Sequence, residues 1–527
     1  MLLWRLSWAC VCAPQLAAAA VVLSACTTVE ASAAAQRSPS AADLAAAVLR
    51  LSAADVNSPV TLAARLDYAE FLLADSASGS CERRLAEAQS QLAALRVSHG
   101  TDVLFPRGWA RLVDGEYRLH RLSASCAPDG QAQTRELRAA VGAAASAVGL
   151  YRDSLDYHSM AAMQFNVAAL DEQLGEHGAA LEALASAIAM DREFGFREDA
   201  RENYAYLLRL RGQPADHSQV AAQLRDFPER SVGLTFAWTA TDARVLVRSE
   251  RTRLVEGAIL KSEVQSELQR GVRRHGAGWR VSYQMLSASD AAGVWPRPPS
   301  IPGLEDAVFS PMLLQHPDIE VSATGELEHV EDVEGFARRM SAQIESGIRA
   351  HAPPVAQAGS VLALGLRTVP LAIAPPIIEA QATQSYSLQT GMWIGARLRQ
   401  GVWYDIDATL TLPGIPRFFV AHRLRFAYTR SVACPGGPGE RQCAELVIHA
   451  MPDADAIAGV LESLRLSNGQ PLPIQYASET DIRLVVDPGT LQPYEGDTRR
   501  YWYVAITQGE RDALLESERR SWRAAYR

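Results

Sequence analysis

The hydrophobic period changes once along this chain, near Pro228, and that change constrains the fold more than any other feature. From about Ala41 to Phe227, leucine and alanine recur at helical spacing with few β-branched runs, which predicts amphipathic helices. Beyond Pro228, apolar residues alternate with polar or small ones: Val232, Leu234, Phe236 and Trp238, then Trp279, Val281, Tyr283 and Met285. Alternation of that kind predicts strands of an antiparallel sheet with one face buried. One segment cannot satisfy both periods. The expected architecture is therefore multidomain, with an all-α region at 41–227 followed by an α+β region at 228–527.

Helices are expected near 41–53, 59–75, 82–97, 107–123, 133–154, 159–175, 178–192, 198–211 and 216–226. Most intervening loops are short, which favours antiparallel neighbours. The clearest unit runs from Gln164 to Asp191. Phe165 and Asn166 open its first helix, Gly175 sits in the turn, and Ala180 and Ala187 fall seven apart on its second helix. This unit resembles a tetratricopeptide repeat. A second start lies at Asn203, with Gly212 nine residues later, the same gap as from Asn166 to Gly175. The two asparagines are 37 apart, three more than a strict repeat of 34, which places extra residues near Phe194, Gly195 and Phe196. The resemblance implies a helical-repeat region in which Ala180 and Ala187 pack between paired helices, and a surface suited to binding protein partners.

In the second half the longest expected strands are Val402 to Leu412 and Phe418 to Tyr428, with shorter ones near 243–249, 318–323, 444–451, 481–487 and 501–507. Val333, Phe336, Met340, Ile344 and Ile348 mark an amphipathic helix, and Asp453 is positioned to cap another. A charged terminal helix is expected from about Glu510 to Tyr526. The prolines of His351–Val355 suggest a split into two subdomains near 351–356. The apolar stretch Val361 to Ile378 is broken by Arg367, Pro370, Pro375 and Pro376, so it reads as a buried segment with Pro-marked turns and not as a membrane span.

The amino terminus reads as a targeting segment. Arg5 precedes an apolar stretch that ends in Leu23, Ser24, Ala25 and Cys26. These residues resemble the lipobox of bacterial lipoproteins. The resemblance implies a signal peptide at 1–25, lipidation of Cys26 and a membrane partner through that lipid. Thr27, where an Asp would favour inner-membrane retention, implies an outer-membrane anchor facing the periplasm. Residues 26–40 look like a flexible tether.

Of seven cysteines, Cys10 and Cys12 would leave with the signal peptide and Cys26 would carry lipid. An even number remains, and an oxidising compartment favours disulfides. Four cysteines allow three connectivities; pairing within each half gives Cys81–Cys126 and Cys434–Cys443. Net charge is −9 without a basic block, which argues against nucleic acid as a partner.

The sequence carries no H-E-x-x-H, no G-x-S-x-G, no P-loop and no dinucleotide fingerprint, and no two of its eleven histidines lie four apart. No catalytic residue, metal ligand or cofactor is therefore expected. Asp405 and Asp407 share one strand face and read as a solvated pair. His422 reads as a buried, hydrogen-bonded side chain. Tyr501, Trp502 and Tyr503 read as core packing. The function expected is a non-enzymatic envelope lipoprotein whose helical repeats bind another envelope protein or peptide. The alternatives are a binding module for an apolar or lipid-like ligand in the strand-rich half, and an enzyme with an unfamiliar site.

Overall fold

A computed structural model describes residues 40–54, 59–74, 80–98, 105–228, 230–255, 258–290, 317–351, 374–413, 415–435, 441–463, 474–506 and 513–526. Cys26, the signal segment and all of the tether but Ser40 lie outside the described residues, as do residues 352–373.

An all-helical part is followed by a strand-rich part. Among the described residues, nine α-helices occupy the first: α1 Ala41–Ala54, α2 Pro59–Leu73, α3 Cys81–Ser98, α4 Pro106–Ser125, α5 Gly130–Asp153, α6 Tyr157–Gln173, α7 His177–Phe194, α8 Arg197–Leu210 and α9 His217–Gln223. Local chemistry sets their ends. Asp129, Asp156 and Asp216 accept hydrogen bonds from the first-turn amides of Ala132, Ser159 and Gln219, satisfying donors a helix start leaves open. Pro106 begins α4, where its missing N–H costs nothing. Gly195 closes α7 with φ +83°, a left-handed turn that side chains resist.

Thirteen strands follow among the described residues: β1 Ser231–Gly233, β2 Thr241–Val255, β3 Ala258–His275, β4 Gly278–Asp290, β5 Ile319–Val321, β6 Leu327–Val330, β7 Arg397–Arg399, β8 Trp403–Leu412, β9 Ile415–Ala433, β10 Gln442–Pro452, β11 Ile474–Val486, β12 Pro493–Ile506 and β13 Ala513–Tyr526. Among the described residues, three α-helices interrupt them: α10 Val333–His351, α11 Pro375–Gln389 and α12 Ala454–Ser463. Eleven strands form one antiparallel sheet in the order β6-β5-β4-β3-β2-β13-β12-β11-β10-β9-β8, while β1 pairs with β7. Two meanders are thus fused through β2 and β13, the first and last long strands of this half.

One face of the sheet carries Leu424, Phe426, Leu446, Ile448, Ile482 and Leu484, which bury against Trp393, Leu388 and Leu398. Farther along, α10 and α11 cover β3 to β5 through Phe336, Met340 and Tyr386. The opposite face of β8 to β12 receives the helical part. Val447 of β10 and Trp403 of β8 join the helical core.

The structure corrects two expectations and adds a strand that was not expected. Residues 510–526 form no helix where they are described; Ala513–Tyr526 is a strand paired on both sides. Its inward positions are charged, so no apolar alternation announces it. Glu516 and Glu518 are buried, and Glu518 meets Arg251 at 3.1 Å, Arg520 at 3.2 Å and Arg500 at 3.6 Å. Burial opposes its charge, yet these guanidiniums hold its carboxyl far below the usual range. Strand β3 carried no legible signal, because Glu263, Gln265, Glu267 and Gln269 alternate with the inward Val264, Ser266, Leu268 and Arg270. Pro375 and Pro376 open α11 and do not mark a turn.

Candidate functional site

The helices align so that alternate members meet. Phe165 of α6 touches Tyr206 of α8 edge-on, with ring centroids 5.2 Å apart. Arg209 lies 5.2 Å over the Tyr206 ring, and the Tyr206 hydroxyl donates to Glu172 of α6. Burial first, then Glu172, pushes the Tyr206 pKa upward. Near the other end of the pair, His158 contacts Asp199 at 3.0 Å, which raises the imidazole pKa. The half-buried Phe165 and Tyr206, with Glu172 and Arg209 beside them, form one aromatic and charged strip across two helices.

The other positions singled out in the sequence fall around this strip. Ala180 and Ala187 are fully buried. Gly175 and Gly212 both adopt left-handed backbone after a helix, with φ of +76° and +67°. The two asparagines differ. Asn203 is buried and donates to Asp191 at 2.6 Å, whereas Asn166 is half-buried with its amide 3.8 Å from the Met163 sulfur.

A second constellation lies where helix ends stand on the sheet. The start of α4, the α5–α6 turn and the end of α7 all reach it. Arg107 of α4 forms an ion pair with Asp481 of β11. Asp481 also lies 2.8 Å from Nδ1 of His449 on β10. Trp403 stacks on that imidazole at 5.0 Å, and Arg425 covers Trp403 at 5.1 Å. Burial, Arg107 and Arg425 together hold His449 neutral, against a hydrogen bond to the Leu155 backbone. A His–Asp pair is part of many hydrolytic sites, but here the imidazole is taken up by Asp481, Arg107 and a backbone group. The arrangement acts as a joint.

Glu445 of β10 makes a parallel joint. It is fully buried, accepts from Arg483 Nε at 2.8 Å and from Thr429 Oγ1 at 2.9 Å, and lies 3.5 Å from the Tyr157 hydroxyl of α6. Arg430 bridges Glu445 to Glu193 of α7. No local motif announces these residues: Arg107 and His449 are 342 positions apart. Only the fold assembles them.

Asp405 and Asp407 are exposed on edge strand β8, where Asp405 pairs with Arg423 at 3.1 Å. His422 is buried with Nδ1 3.0 Å from the Val420 carbonyl, and burial lowers its pKa. Trp502 packs on one sheet face with Leu412, Val420, Ile457 and Tyr476, while Tyr503 packs on the other with Phe105. Cys81 pairs with Cys126, Cα atoms 6.3 Å apart, and Cys434 with Cys443 at 5.0 Å. Among the described residues, no group of three or more His, Cys, Asp or Glu side chains is arranged to hold a metal ion, and no helix is long and apolar enough to cross a membrane. No protein-family model matches this chain, and no curated protein matches it either.

Proposed function

We propose that this chain is a non-enzymatic lipoprotein of the cell envelope, anchored by lipid on Cys26, whose tetratricopeptide-like helices bind a protein or peptide partner. The observation that carries the reading is the Phe165–Tyr206 strip. Aromatic side chains with an arginine at hand, shared by alternate helices, offer large contact area with few rotamers to freeze. The seam between helices and sheet, formed by the Arg107–Asp481, Tyr157–Glu445 and Glu193–Arg430 contacts, supports it, because the sheet holds the array by its helix ends. The anchor rests on the lipobox-like Leu23 to Cys26, and Thr27 supports an outer-membrane location facing the periplasm as part of the same proposal.

A photo-crosslinking residue at Phe165 of the full chain, in cells, should capture a discrete partner, and Tyr206→Ala with Arg209→Ala should abolish the adduct. Adducts indifferent to both substitutions argue against the strip. Cys26→Ser should block palmitate labelling; a variant that still labels removes the anchor from the reading.

One observation favours a second reading, a module for an apolar ligand in the strand-rich half. A cleft of about 330 Å3 between α10 and β3–β4 is floored by Leu268, Met285 and Phe336, and its rim carries Arg280 paired with Asp318 and Glu331, and Arg339 paired with Asp332. Met285→Trp should fill it; a fluorescent fatty-acid probe that binds both proteins equally speaks against the cleft.

A further inference from the structure

A cleft of about 370 Å3 opens where α7, the segment entering β1 and strand β9 converge. Arg192, Arg230 and Arg430 line it, together with Glu193 and Ser431. Their charges are committed differently. Arg430 is shared between Glu193 and Glu445. Arg192 spends its donors on neutral acceptors, the Tyr204 hydroxyl at 3.4 Å and the Asp226 carbonyl at 3.0 Å. Arg230 is exposed and has no side-chain partner among the described residues.

Glu193, the carboxylate that lines the cleft, is taken up by Arg430, so the charges of Arg192 and Arg230 face the cleft without an ion-pair partner among the described residues, in a chain whose net charge is −9. Gathering like charges costs Coulomb energy unless an anion is drawn in. Guanidinium forks match the spacing of oxyanion oxygens, and several around one space suit a tetrahedral anionic group. We propose that this cleft binds a phosphate group, and that the bound phosphate ties α7 to β9 across the seam. The site is separate from the Phe165–Tyr206 strip, so either can fail alone.

The test is calorimetric titration of the full chain with inorganic phosphate against chloride at matched ionic strength. Saturable binding with a dissociation constant on the order of 1 mM is expected. Arg230→Ser should weaken it about tenfold, the loss of one charge-assisted contact. That variant should melt normally without phosphate, since Arg230 holds nothing in place. Arg192→Ser should weaken binding similarly, and Glu193→Gln should tighten it by removing the competing carboxylate. No saturable binding, or equal binding by the parent chain, Arg192→Ser and Arg230→Ser, overturns the proposal. Flotation with phosphatidylglycerol vesicles identifies the source. Arg230-dependent flotation assigns the phosphate to a lipid headgroup, and phosphate binding without flotation assigns it to a soluble ligand.

Discussion

Gly195, in the turn after α7, and Gly401, just before β8, meet backbone to backbone. A Cβ on Gly401 would lie 2.6 Å from the Gly195 carbonyl oxygen, and one on Gly195 would lie 3.0 Å from the Gln400 carbonyl oxygen. Both residues also hold positive φ, +83° and +75°. Side chains are disfavoured at each position twice over, by conformation and by space. Gly401→Ala should destabilise the full chain by about 1–3 kcal/mol, read as a lower urea midpoint. An unchanged midpoint would mean the two parts are not pressed together here.

Arg107→Ala should cost more than an exposed arginine would. It leaves Asp481 buried beside a neutral His449, and removing one member of a buried pair costs about 3–5 kcal/mol. Arg107→Ala with Asp481→Asn should recover part of that loss. A double variant no better than the single one contradicts the pairing.

Asp191 gives the fold a pH dependence. The side chain is fully buried, and burial lifts its carboxyl to about 7, with Asn203 opposing. In the unfolded chain an aspartate titrates near about 3.9, so the folded state keeps the proton to higher pH. Its stabilising effect is complete below that unfolded value and is lost as pH rises through about 7. Asp191→Asn should flatten this dependence and raise stability at pH 8 by roughly 4 kcal/mol relative to the parent chain. Parallel urea curves at pH 5 and pH 8 measure it; an equal difference at both values contradicts the assignment.

Ala180 and Ala187 have no exposed surface, so Leu at either position must push helices apart. Overpacking of that kind costs about 1–3 kcal/mol, whereas an exposed alanine would tolerate the change within about 0.5 kcal/mol. Denaturation of the full chain carrying Ala180→Leu separates the two.

The disulfides should contribute unequally. Cys81–Cys126 closes a span of 45 residues and Cys434–Cys443 one of 9. Loop-closure entropy assigns about 4 kcal/mol to the first and about 2.6 kcal/mol to the second. Paired Cys→Ser variants of each bridge should therefore lower the melting temperature in that order, and mass mapping of the oxidised chain should find these two links. A reversed order of melting would reject the entropic ranking.

The helices described in the first part were legible within a few residues, because the recurrence of leucine and alanine at helical spacing and the turn residues Gly175 and Gly212 are local features. The strands β8 and β9 were legible for the same reason: each alternates on its own account, whereas β10 is buried on both faces. Strand β13 was not. Glu516, Glu518 and Arg520 look like helix surface until Arg251 and Arg500 stand beside them on neighbouring strands, 267 positions away in the case of Arg251 and Glu518. The seam shows the same limit. Arg107, His449 and Asp481 belong to three separate elements, and each is an ordinary polar residue in its own segment. The sequence determined the period of each segment, and hence which parts are helix and which alternate as strand. The tertiary structure decided which charges are buried together, because a buried charge is stabilised by partners that only strand pairing and helix docking bring within reach.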